Sequence, residues 1–197
     1  MFIGIYSLSV LFSYIGVVFA FLSCYFSITG NLKLSLIMFM VTGLIDTLDG
    51  KFASLFKRTD KEKKYGIEID SILDTFNYAA IPLVILYFNN LNQAVDIPIF
   101  IFYAFCTTTR LAYFNTVLDE GTNCFYGVPS TMITFLLPIA FIIFKLCNIL
   151  WVLRILIILI SLSFIVNIKI KKSRNLKFYI SILLTGIIIT LGLIFIL

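Results

Sequence analysis

Long apolar runs follow one another along almost the whole chain, broken only by short polar stretches. Each run is about 20 residues, enough to cross a hydrocarbon layer of about 30 Å as a helix. The pattern predicts seven helices, at 4–28, 32–56, 66–89, 96–118, 129–147, 149–168 and 177–197. The break between the fifth and sixth is short, marked by Lys145, Cys147 and Asn148. The expected fold is therefore all-α: one polytopic membrane helix bundle over 1–197. Polar residues inside the runs fall in the N-terminal half, whereas the last two runs are nearly all aliphatic and read as scaffold.

Composition agrees with a membrane solvent. Hydrophobic residues make up 61% of the 197 positions, and the mean hydropathy is +1.08. A soluble domain is nearer half apolar and has no place to hide so much oily surface. The first run, Gly4 to Ile28, has no basic residue before it and no small-residue cleavage site, so it reads as a retained helix. Cys24, Cys106, Cys124 and Cys147 are scattered without a CxxC pair, which suggests neither a disulfide framework nor a zinc site. The absence of histidine excludes imidazole chemistry.

Charge sets the orientation. Five basic residues lie in Lys57–Lys64 and five more in Lys169–Lys177. With seven spans both segments fall on one side, and the opposite loops hold chiefly Lys33 and Lys145. The positive-inside rule puts the basic loops and the N-terminus in the cytoplasm and the C-terminus outside. The net charge of +5 is then a membrane-surface signal, and nucleic acid is not an expected partner.

Four aspartates stand where apolar residues are expected. Asp46 and Asp49 lie late in the second helix, Asp70 and Asp74 early in the third. Spacings of three and four put each pair on one helical face, and a short loop makes the two helices antiparallel neighbours. An aspartate at mid-membrane costs about 2.5–3.5 kcal/mol on insertion scales. Four together repel unless cations neutralise them, and carboxylate oxygens suit Mg²⁺, Mn²⁺ or Ca²⁺. Two such ions would leave open positions for phosphate oxygens. The competing readings are solvated helix caps and a proton or cation relay in a transporter. Gly50, Ala53, Ser54 and Gly66 are small residues beside these aspartates, suited to close approach of a ligand or simply to helix packing.

Asp46-x-x-Asp49-Gly50-x-x-Ala53 followed by Gly66-x-x-x-Asp70-x-x-x-Asp74 resembles the signature of the CDP-alcohol phosphotransferases. The resemblance covers about residues 5–168 and leaves 177–197 as an extra C-terminal helix. It implies a six-helix catalytic core, a homodimer, and a metal site facing the cytoplasm, with two ions of Mg²⁺ or Mn²⁺. By that resemblance Asp46, Asp49, Asp70 and Asp74 hold the metal, Asp74 is also the base, and Gly50, Ala53 and Gly66 line the nucleotide pocket. The pattern departs at Ser54, where the family usually has arginine; Lys51 or Lys57 is the expected substitute.

Two later stretches narrow the branch. Arg110-Leu111-Ala112-Tyr113-Phe114-Asn115 and Phe125-Tyr126-Gly127-Val128-Pro129-Ser130 are similar to segments of bacterial and archaeal phosphatidylserine synthases, as is Phe56 through Ser71. That likeness implies CDP-diacylglycerol and L-serine as substrates, with membrane lipids around them. Arg110 is then an anion-binding residue for the serine carboxylate or a donor phosphate, the alternative being a side chain snorkelling to lipid. Asn115 and Ser130 would add hydrogen bonds to the acceptor, with Tyr126 and Lys64 less central. Lys145 and Arg154 fall on the opposite side and take no catalytic role. The rival functions are the same transfer to glycerol phosphate or inositol phosphate, and a non-enzymatic ion-coupled transporter. The first needs several basic groups at the pocket; the second often carries repeats, and none is visible here.

Overall fold

A computed structural model describes residues 3–53, 56, 58–118, 124–171 and 176–196. Its helices are α1 (Leu8–Ile28), α2 (Leu32–Ala53), α3 (Asp60–Asp74), α4 (Ile81–Phe88), α5 (Asp96–Leu118), α6 (Ile133–Cys147), α7 (Leu150–Ile165) and α8 (Leu176–Ile196). A π-helical turn at Thr75–Ala80 joins α3 to α4, so these form one rod from Asp60 to Phe88. Among the described residues there are thus seven rods, as the apolar runs predict. Five helical stretches among the described residues are long and apolar enough to cross a membrane by length and composition. α7 has 16 residues, and α2 carries Lys33, Asp46, Asp49 and Lys51 along its 22. The chain is an integral, multi-pass membrane protein.

The ends of the elements correct the sequence reading. The third helix begins at Asp60, inside the basic segment, rather than at 66. Thr59 and Glu62 start it by a reciprocal capping box: Glu62 N donates to Thr59 Oγ1 at 3.3 Å, and Thr59 N donates to Glu62 Oε2 at 2.8 Å. The described part of α2 runs to Ala53 and Phe56 is no longer helical, with 54 and 55 outside the described residues; α7 ends at Ile165 rather than 168. Beyond α7 the chain enters a short strand, β2 (Lys169–Lys171). It pairs antiparallel with β1 (Cys124–Tyr126), Phe125 opposite Ile170. This ribbon is the one departure from an all-helical fold among the described residues.

The ribbon fixes the topology. It ties the α5–α6 connection to the α7–α8 connection, so both lie at one end of the bundle. Gly127 closes the corner with φ +73, and its N–H donates to Ile168 O at 2.9 Å. A side chain here would strike the Phe164 carbonyl as well as strain the backbone. At the other end Lys33 Nζ donates to Ile194 O at 3.2 Å, and Asn89 Nδ2 donates to Ser27 Oγ at 2.7 Å. An odd number of crossings is what this arrangement requires.

Side chains from all the central rods form the core: Leu36, Phe39 and Met40 of α2, Ile81 and Ile85 of α4, Tyr103 of α5, Leu137 and Phe141 of α6, and Leu153 and Ile157 of α7. Large apolar side chains such as Leu146, Ile188 and Phe195 point outward, as a lipid solvent permits. α2 and α6 touch closely at Gly43, where a methyl group would collide with the Thr134 side chain.

The π-helical turn has an identifiable cause. Pro82 has no N–H, and its ring crowds the carbonyl four residues back, that of Tyr78. The ladder slips by one residue, so that Ile81 N–H bonds to Phe76 O. The freed Tyr78 carbonyl accepts the Tyr103 hydroxyl at 2.6 Å. The wider turn buries Asn77, Tyr78 and Ala79 in succession, directly after Asp74.

Candidate active site

The four aspartates meet where the end of α2 faces the third rod. One carboxylate oxygen from each of Asp46, Asp49 and Asp70 lies within 4.8 Å of the others. Asp74, a turn below Asp70, is within electrostatic reach of all three and lies against Asp46. Ser13 of α1 donates to Asp49 Oδ2 at 3.2 Å and fixes that carboxylate from a third helix. Solvated helix caps would diverge into separate surroundings; these converge.

Two cavities flank the cluster. The outer one, of about 180 Å³, is lined by Ser9, Ser13, Asp49, Ala53, Arg58, Gly66 and Asp70, among others. Of the small residues expected at a nucleotide pocket, Ala53 and Gly66 line it; Gly50 follows Asp49 on α2, and its surroundings lie outside the described residues. Arg58 stands across the cavity mouth, its Nη1 3.8 Å from where a Cβ on Gly66 would sit. It is the cation that the sequence reading missed. Of the two lysines expected to replace the guanidinium absent at Ser54, Lys51 is drawn away, its Nζ 4.8 Å from the centre of the Tyr179 ring. Lys57 and Ser54 lie outside the described residues. The inner cavity holds about 10 Å³ and is lined by Ser13, Thr42, Asp46, Asp49, Asp70 and Asn77, among others.

Polar groups without partners collect at this place. Among the described residues, Asn77 Oδ1 and Arg110 Nε are buried with no hydrogen-bond partner. A buried polar atom left this way costs about 1–3 kcal/mol, so native structures keep few of them. Tyr78 stands beside Asp46 and Asp74, and Arg110 faces Asp74 from α5. Arg110 is only 6% exposed, with its guanidinium 4.8 Å from the Phe114 ring centre, so it turns into the bundle and does not snorkel. Asn115, a turn further along α5, donates from Nδ2 to Ser71 Oγ at 3.0 Å, next to Asp70 in sequence. Ser130 is buried in the 3₁₀ turn before α6 and lines neither cavity. Tyr126 belongs to the β ribbon, and Lys64 lies on an exposed face of α3.

Carboxylates from two apolar helices, an open cavity and orphaned polar groups suit a polyanionic substrate bridged by cations. Comparison with known proteins agrees. Residues 6–167 match the model of the CDP-alcohol phosphatidyltransferase family. The chain belongs to that family. A CDP-diacylglycerol–serine O-phosphatidyltransferase of Methanocaldococcus jannaschii is 33% identical over 151 residues, 75% of this chain and 70% of the relative. An enzyme of the same name from Mycobacterium bovis is 30% identical over 103 residues, 52% of this chain. An archaetidylserine synthase of Methanothermobacter thermautotrophicus is 29% identical over 110 residues, 55% of this chain. The match spans only 35% of the length of the mycobacterial relative and 46% of the archaetidylserine synthase.

The CDP-alcohol phosphatidyltransferases depend on a divalent metal in general, and the residues here fit one. The donors are all oxygens, as hard divalent cations prefer. The unpartnered acceptor at Asn77 sits among them on the inner side.

Proposed function

We propose that this protein transfers the phosphatidyl group of CDP-diacylglycerol to the hydroxyl of L-serine, yielding phosphatidylserine and CMP. The observation that carries the reading is the meeting of Asp46, Asp49 and Asp70 within 4.8 Å, with Asp74 against them, in the wall of an open cavity. Relatives named for transfer to serine support the choice of acceptor. So does the single buried arginine on α5, which matches one carboxylate better than a phosphate-bearing alcohol.

The four aspartates would hold two divalent cations, Mg²⁺ or Mn²⁺, which neutralise the donor diphosphate and polarise its phosphorus. The donor's acyl tails remain in lipid while its nucleotide enters the outer cavity past Ala53 and Gly66, with Gly50 as a further nucleotide contact. Arg58 binds the donor phosphates there. Arg110 binds the serine carboxylate, with Asn115 and Ser130 as further acceptor contacts. Asp74 takes the proton of the serine hydroxyl as its oxygen bonds to the lipid-linked phosphorus; the bond to CMP breaks, and CMP leaves with the electron pair. The basic segments at this end of the bundle support a site on the cytoplasmic side of the cell membrane. A homodimer, implied by the family resemblance, belongs to the same proposal.

The test is CMP release by the purified full chain with CDP-diacylglycerol, Mn²⁺ and a panel of alcohols. Labelled serine is expected in the lipid product, and glycerol phosphate and inositol phosphate are expected to release little CMP. Release with one of those alcohols but not serine would overturn the acceptor; substrate uptake into vesicles without CMP would overturn the transfer chemistry.

Arg58→Ala is expected to raise KM for CDP-diacylglycerol about tenfold or more, through loss of a charge-assisted hydrogen bond, with kcat nearly unchanged. Initial rates against donor mole fraction in mixed micelles measure this. An unchanged KM would remove Arg58 from the donor site.

A further inference from the structure

We infer that the Asn77 carboxamide oxygen is a ligand of the cation centre, supplementing the four aspartates with a neutral oxygen. The inference rests on the metal reading given under Proposed function and deepens it. Asn77 is 4% exposed, its Oδ1 has no hydrogen-bond partner among the described residues, and it lines the inner cavity together with Asp46, Asp49 and Asp70.

An amide oxygen only accepts, so its partner must be a cation or a donated hydrogen. The polar groups that share the cavity are carboxylates, which offer neither when ionised, and the Ser13 and Thr42 hydroxyls, which donate to Asp49 Oδ2 and Met38 O instead. A divalent ion drawn in by those carboxylates meets the need, and Asn carbonyl oxygens are ordinary ligands of such ions. Charge favours the same answer. Four carboxylates already balance two divalent ions, so a neutral oxygen completes the ligand set without adding a fifth negative charge to repel the others in the metal-free site. The backbone holds Asn77 in place: the π-helical turn after Asp74, set by Pro82, buries its side chain where a continuous α-helix would carry the face onward.

The test uses the purified full chain in detergent and Mn²⁺ alone, without substrate. Mn²⁺ affinity is read by electron paramagnetic resonance of the free ion, and the thermal midpoint is read in EDTA and in Mn²⁺. Asn77→Ala is expected to weaken Mn²⁺ binding about tenfold or more. Its midpoint in EDTA is expected to equal or exceed that of the wild type, because an orphaned acceptor has been removed. The Mn²⁺-induced rise in midpoint is expected to shrink. Asn77→Asp keeps the oxygen and is expected to bind Mn²⁺ at least as well as the wild type, with a lower midpoint in EDTA.

Wild-type Mn²⁺ affinity in Asn77→Ala would overturn the inference. An equal fall in its midpoint with and without Mn²⁺ would do the same, since that is what a purely structural side chain gives. A wild-type protein with no response to Mn²⁺ would instead overturn the metal reading itself, and Asn77 with it.

Discussion

Asp74→Asn is expected to lower kcat for CMP release by about 10²–10⁴-fold, the usual contribution of a general base. The asparagine keeps the shape of the side chain at the bottom of the cluster, where Asp74 lies within reach of Asp46, Asp49 and Asp70. It cannot take the serine proton. Asp74 also stands among the metal-holding carboxylates, and the two roles separate by titration. A weakened ligand set is refilled at higher Mn²⁺ concentration, whereas a missing base is not. The loss should therefore persist at saturating Mn²⁺ in Asp74→Asn. In Asp49→Asn, which loses only a ligand, part of the activity should return as Mn²⁺ is raised. Undiminished CMP release by Asp74→Asn would remove it as the base.

The second large effect concerns stability at the opposite end of the bundle. Arg154 Nε donates to Asp96 Oδ1 at 2.7 Å, with the two side chains 4% and 1% exposed. Arg154 Nη2 reaches Gln93 Oε1 at 2.7 Å, and its guanidinium lies 4.7 Å from the Trp151 ring centre. Asp96 Oδ2 in turn accepts Gln93 N at 2.9 Å. This group fastens the start of α5 to α7, far along the helices from the aspartate cluster. Removing one partner strands the other charge, so Asp96→Ala is expected to cost about 3–5 kcal/mol. Asp96→Ala combined with Arg154→Met is expected to recover most of that loss, because no uncompensated charge remains. Thermal unfolding in detergent reads both. Turnover per folded molecule should not change in either variant, since neither residue touches the site. A double variant as unstable as Asp96→Ala would contradict this reading.

The aspartates are legible in the sequence because charge inside an apolar run is conspicuous and costly, and because spacings of three and four fix their faces. The helix count is legible for the same solvation reason. The start of the third helix is less so. Its capping box is written in Thr59 and Glu62, but the surrounding run of lysines has the look of a loop. That start turns Arg58 toward the outer cavity, so choosing among the cations of that run required the structure. Arg110 is similar: a lone arginine near a helix end can face lipid or bundle, and only its burial beneath neighbouring rods decides. Asn77 gave no signal, since a neutral polar residue within an apolar helix is unremarkable. Its direction follows from the slip that Pro82 imposes, a three-dimensional consequence of a missing N–H. The β ribbon escaped notice because each strand has three residues, too few for any period to show.

Anomalous diffraction at the manganese edge, from crystals of the full chain grown with Mn²⁺, reads the cation centre directly. Peaks between Asp46, Asp49, Asp70 and Asp74, at the inner end of the outer cavity, are the expected result. An empty aspartate cluster in crystals that hold Mn²⁺ elsewhere would contradict it.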